Sequence, residues 1–149
     1  MDTTMLGNVL SVIFCIIGLV GLYKIFEKMG EPGWKGIVPL YNIYLLFDKL
    51  IDKMYGIGYI CAVLVMSVCT ALLQTSSPNN VFLAVISIVA SVAVLALTIM
   101  LMIRLGKAFG KSNAFVVGLV LLTPIFELIL GFDDSVYLLG QREEKEIQI

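Results

Sequence analysis

With 149 residues, 60% hydrophobic and only 14% charged, the chain is too apolar for a soluble domain, where about 45–50% and about 25% are usual. A formal net charge of −1 offers no basic face for nucleic acid phosphates, and the lack of any histidine removes imidazole metal sites and His-based general-base catalysis. The three cysteines, Cys15, Cys61 and Cys69, fall inside apolar runs, where they act as small packing residues and form neither a disulfide framework nor a zinc spacing.

Four apolar runs, 5–25, 55–73, 81–103 and 114–132, approach or exceed the length a membrane helix needs, about 20 residues at about 1.5 Å each. Each must be helical, because lipid gives free backbone groups no partner. The first run is preceded by Asp2 and followed by Lys24 and Lys28, the reverse of a cleavable signal. Gly7, Ser11, Cys15 and Gly18 line one face of it, with Asn8 beside them. Such a stripe of small residues permits close backbone contact between helices in lipid. It serves either packing within the bundle or docking of another membrane protein or a second copy.

The run Gly30-Glu31-Pro32-Gly33-Trp34 breaks the first helix, and Pro39 restarts the chain. Over 40–54, Leu40, Ile43, Tyr44, Phe47, Leu50, Ile51 and Met54 recur at helical spacing, with Asn42, Asp48, Lys49, Asp52 and Lys53 on other sides. This pattern predicts an amphipathic helix that lies in the inner interface or forms a short re-entrant piece. Trp34, Tyr41, Tyr44 and Tyr55 suit headgroup depth. Asp48 and Asp52 stand one turn apart, as two ligands of a divalent metal can, but such a metal needs more ligands. Lys49 and Lys53 interleave with them, and a solvated face is the plainer reading.

The second run opens with Gly58 and Cys61 or Ala62, and the third carries Ala84, Ser87 and Ser91 close together, further small-residue faces. Between these runs, 74–80 is uncharged. After the third, Arg104, Lys107 and Lys111 predict a helix that continues past the membrane toward anionic headgroups and ends at Gly110. The fourth run holds Glu127, with Pro124 three residues earlier. A carboxylate at a span centre costs about 2.5–3.5 kcal/mol on insertion scales, and proline removes a backbone donor and kinks a helix. Glu127 reads as a proton or cation site facing the bundle, or as a carboxyl that reaches the outer headgroups or stays protonated. Asp133-Asp134 reads as a turn.

Lysines and arginines cluster after the first and third runs, at Lys24, Lys28, Lys35, Lys49 and Lys53 and at Arg104, Lys107 and Lys111. The positive-inside rule then predicts a multi-pass protein of the cell membrane with both termini outside. In the tail, Arg142 and Lys145 are outnumbered by Glu143, Glu144 and Glu146. The expected fold is an all-α membrane protein, one domain over 1–149: a four-transmembrane-helix bundle with the interfacial or re-entrant helix between the first and second spans.

Gly30-Glu31-Pro32-Gly33-Trp34, then Val38-Pro39-Leu40-Tyr41-Asn42-Ile43-Tyr44, then Phe109-Gly110-Lys111, Thr123-Pro124-Ile125-Phe126, Ile129-Leu130-Gly131-Phe132 and Tyr137 resemble a family of small prokaryotic polytopic membrane proteins of unknown function. Members are often labelled signal peptidase I. That enzyme presents a Ser nucleophile and a Lys base on a large extracytoplasmic β-rich domain, whereas this chain has one short outer loop and a tail. The resemblance implies architecture and a prokaryotic membrane address, with no active residues to carry over.

These residues predict a non-catalytic integral membrane protein, without cofactor or metal, whose partners are the lipid bilayer and another membrane protein or a second copy. Its role would be that of an accessory, assembly or interaction factor. The rival reading is a small oligomeric channel or transporter of ions or solutes that uses Glu127.

Overall fold

The computed structural model describes residues 3–75 and 79–139, Thr3 by its backbone alone. Asp2 and the tail charges Arg142, Glu143, Glu144, Lys145 and Glu146 lie outside the described residues, as do 76–78 of the uncharged loop. The described residues are helical: α1 (Thr3–Lys28), a 3-10 turn (Gly33–Gly36), α2 (Tyr41–Leu50), α3 (Lys53–Thr75), α4 (Val81–Ala108), α5 (Asn113–Leu121) and α6 (Thr123–Phe132). Three of them, α1, α3 and α4, are long and apolar enough to cross a membrane. The chain divides into two compact units, Met1–Asn42 with Met102–Ile149, and Ile43–Leu101.

In the first unit, α1 ends on glycine. Gly30 has φ +77°, Glu31 N–H donates to the Phe26 carbonyl at 2.9 Å, and Gly30 N–H donates to that of Glu27 at 3.1 Å. This is a Schellman cap, which needs a left-handed residue just past the helix. The end of α4 repeats it around Gly110, φ +68°, with Lys111 N–H on the Gly106 carbonyl at 2.9 Å. After α1 the 3-10 turn folds back along the helix. A Cβ on Gly33 would meet the Tyr23 ring at 2.7 Å, and one on Gly36 the Leu22 carbonyl oxygen at 2.8 Å, so neither position has room for a side chain. The buried Asn42 Nδ2 donates to the Gly36 carbonyl at 2.9 Å, and Leu40 adopts φ +64° to turn the chain into α2.

The expected single helix over 114–132 is instead two helices folded into a hairpin. α5 has 9 residues and α6 has 10. Ser112 caps α5 by accepting from Phe115 N–H at 3.4 Å. The chain leaves helical geometry at Leu122, φ −128° and ψ 52°, and Pro124 stands in the first turn of α6. Proline is accepted there because first-turn N–H groups have no helical partner, so Pro124 starts a helix where the sequence suggested a kink. The legs lie side by side: the Phe115 and Phe126 rings meet at 5.0 Å, edge to face, and Gly118 sits directly against the Phe126 ring. An ion pair joins Lys111 and Asp133 at the open ends, residues that a straight helix would hold about 33 Å apart.

The return leg α6 packs on α1, and the two run parallel. Pro124 faces Gly18, Glu127 and Leu128 face Gly21, and Gly131 faces Gly21 and Lys24. Ile25, Phe26, Leu105, Leu119 and Leu130 are fully or almost fully buried in this unit.

The second unit is built on α3 and the larger part of α4. Before it, α2 buries Leu46, Phe47 and Leu50 and exposes Asp48 and Lys49. Phe47 packs on Tyr59 at 5.7 Å, and a Cβ on Gly56 would stand 3.2 Å from Tyr44 and Phe47, so α2 lies back on the first turns of α3. Asp52 caps α3 through Met54 N–H at 2.7 Å. Thr70 and Ser87 hydroxyls meet across α3 and α4 at 3.3 Å.

Candidate functional site

The hairpin carries the Glu127 carboxyl into the α1–α6 seam. Glycines at 18 and 21 of α1 let the α6 backbone approach so closely that a Cβ on Gly21 would lie 2.6 Å from Leu128 N and 2.7 Å from Glu127 C. Close approach of this kind is what small residues allow between membrane helices. Glu127 is thereby covered: its residue is 5% exposed, and Oε2 lies 3.7 Å from where a Gly18 Cβ would stand. Among the described residues no hydrogen bond or ion pair reaches this carboxyl. The hairpin turns Glu127 inward onto α1. Arg142 and Lys145, the cations the sequence left for it, lie outside the described residues.

Six residues further on, the open end of the hairpin is closed by charge. Lys28 Nζ, in the last turn of α1, donates to the Leu130 and Asp133 carbonyls at 2.6 Å each and to Asp133 Oδ1 at 3.0 Å. It thus caps α6 with a side chain from another helix, a favourable place for a cation. Lys111 pairs with the other carboxylate oxygen of Asp133, and Ser135 adds its amide at 2.9 Å and its hydroxyl. Burial works to raise the Asp133 carboxyl, but the hydrogen bonds from Lys111, Ser135 and Lys28 outweigh it and hold the group well below the usual carboxylate range. The apolar side of the cluster is the Phe109 and Tyr137 ring pair, 5.6 Å apart. Lys111 also stands over the Phe115 ring at 5.1 Å.

Of the other residues singled out by sequence, Gly18 packs in the seam, but Gly7 has nothing within 4 Å, and Asn8, Ser11 and Cys15 are exposed. Ser11 donates to the Gly7 carbonyl at 2.9 Å within its own helix. Ser87 faces Thr70, and Ser91 donates back to the Ser87 carbonyl at 2.7 Å. Gly33 and Asn42 are built into the turn after α1, whereas Trp34, Pro39 and Tyr41 are exposed; Tyr44 is half-buried against Gly56. Asp52 caps α3, Asp48 is exposed, and no three His, Cys, Asp or Glu side chains gather as a metal site among the described residues. The sequence reading missed Gly21, named Gly131 only within the family resemblance, and treated Lys28, Lys111 and Asp133 separately. A signal was present: Lys111 and Asp133 are equally spaced about Leu122, so a fold at that point brings them together.

No curated protein and no solved structure matches the chain. A family model matches residues 34–140, from the 3-10 turn through α6 and the Phe109 and Tyr137 ring pair. That stretch is well over half of the chain, which therefore belongs to the family of unknown function DUF5684.

Proposed function

We propose that the chain is a small integral membrane protein that crosses the bilayer three times, through α1, α3 and α4, and dips into it once more with the α5–α6 hairpin. The legs of 9 and 10 residues reach about 14–15 Å, half of a hydrocarbon core of about 30 Å. The break between them fits that depth: Leu122 N–H donates to the Gly118 carbonyl at 2.8 Å, and the Leu122 carbonyl accepts from Ile125 and Phe126 at 3.1 Å each. Backbone groups in lipid must be satisfied internally in this way. The hairpin starts just after Lys111 and ends at Asp133, which Lys111 and Lys28 of α1 both meet, and these cations put its open end on the inner side by the positive-inside rule. In this reading the amino terminus is outside, and residue 139 lies inside rather than beyond a fourth crossing.

Within that membrane protein the leading role is non-catalytic, an accessory, assembly or interaction factor working through its lateral faces. One observation carries this. From Thr4 to Ile16 every residue of α1 is exposed, so half of the helix, including the stripe Gly7, Ser11 and Cys15, makes no contact inside the chain that covers it. The test is purification of the tagged protein at native expression in mild detergent, with stoichiometric companions identified by mass spectrometry. Gly7→Leu and Ser11→Leu should lower capture of a companion several-fold. Capture unchanged in both would remove this face from the interaction.

A second reading, a small oligomeric conductor of ions or solutes, is favoured by the burial of Glu127 in a re-entrant leg. Ionisable groups at membrane depth are costly and mark such pathways. Flux in liposomes that falls in Glu127→Gln supports it; no flux in the wild type disposes of it.

A further inference from the structure

The seam around Glu127 restricts what that carboxyl can bind. Hard divalent cations take about six or more oxygen ligands, and here α1 presents glycines at 18 and 21 while α6 presents Pro124. No acid, cysteine or histidine completes a metal-binding group with Glu127 among the described residues. Among the described residues no basic group reaches Glu127 either. Of the titratable groups on α1, Lys24 is paired with Glu27 at 2.7 Å and Lys28 with Asp133 at 3.0 Å, and Tyr23 packs on Gly33. α5 carries no titratable residue, the rest of α6 none, and Arg104 and Lys107 at the end of α4 are exposed. A proton is the one cation that a single carboxylate binds without further ligands. An uncompensated carboxylate in such a place becomes neutral instead of staying charged.

The charged end of the seam is the nearer one. From Glu127 to the part-exposed Asp133 cluster is six residues of helix, about 9 Å, whereas α1 continues from Gly18 to Thr4 for about 21 Å in the other direction. We propose that Glu127 is a proton-binding site, holding a proton as a neutral acid in the α1–α6 seam and exchanging it with water. This narrows the conductor reading to one ligand, but it does not require net transport.

The test is infrared spectroscopy of the full-length protein in lipid vesicles at neutral pH, in ordinary and in heavy water. The other carboxyls of the described residues are exposed or ion-paired, and a protonated-carboxyl C=O band that Glu127→Gln removes belongs to the seam. The expected result is one such band, shifted in heavy water, moved in Glu127→Asp and lost in Glu127→Gln. Absence of the band means an ionised group, and a band that heavy water does not shift means a sealed structural proton; either overturns the proposal. Because the shift is read in the wild type, a variant that fails to fold leaves the test intact. A shifted band without proton flux sustains the site while disposing of the conductor, so the two readings fail separately.

Discussion

At Gly21 a methyl group has nowhere to go, because the atoms it would strike are the backbone of Glu127 and Leu128 at 2.6–2.9 Å rather than the end of a flexible side chain. Gly21→Ala should therefore separate α6 from α1 and lower stability by about 1–3 kcal/mol, the usual cost of overpacking. Gly7→Ala, at a position with nothing within 4 Å, should leave the thermal midpoint in detergent unchanged or slightly raised. Equal effects of the two would remove the seam as the cause. Gly7 and Gly18 were equivalent in the sequence, both on one small-residue stripe, and Gly21 was not marked at all. A stripe gives the face of a helix but not the height at which a partner crosses it. That height is set here by α6, whose existence as a separate helix the sequence concealed.

Asp133 gives a second prediction at the same scale. Its folded-state carboxyl is held below its unfolded value of about 3.9. Its contribution is therefore complete above that value and is lost as the pH falls below it. The thermal midpoint should drop on acidification below about pH 4, and the drop should be smaller in Asp133→Asn. At neutral pH that variant should lose about 1.5–3 kcal/mol, the worth of hydrogen bonds between charged groups. An acid dependence identical in wild type and variant would assign it to other carboxyls.

Among the elements, the three long helices were legible because continuous apolarity over such lengths is the mark of a membrane-spanning helix. Their edges moved only outward, to Lys28, to Lys53 and Thr75, and to Ala108. The hairpin was not legible for a definite reason. A run at 114–132 has the same composition whether it crosses once or turns back at half depth, since both environments are apolar. Pro124 was noticed, but a proline in the middle of a long helix and a proline in the first turn of a short one look alike until the residue before the turn is known to be non-helical. Glu127 stands out in the sequence by the cost of a carboxyl in an apolar run, but its place against Gly18 and Gly21 follows only from the fold at Leu122. The parallel run of α1 and α6 places two helix C-termini together, each with a partial negative charge. Lys28 and Lys111 meet that charge, and Lys28 does so through carbonyls of α6 itself.

For the whole molecule the number of crossings is the most direct quantity to measure. Single-cysteine variants Ser112→Cys and Asp134→Cys, in a chain whose native cysteines are replaced, flank the hairpin at exposed positions. With an impermeant maleimide both should label from the same side of sealed vesicles. Labelling from opposite faces would restore the fourth crossing and refute the re-entrant reading.

The α1–α6 seam also fixes an order of assembly. It joins α1 to α6, Gly18 to Pro124 and Lys28 to Asp133, contacts of large sequence separation, which form late. During synthesis the chain emerges amino end first at about 5–20 residues per second. Until α6 has been made, α1 stands with its glycine face bare, and nothing else in the described residues fills that place. The nascent α1 is thus held open to any neighbour with a complementary face, and the closing step waits for α6.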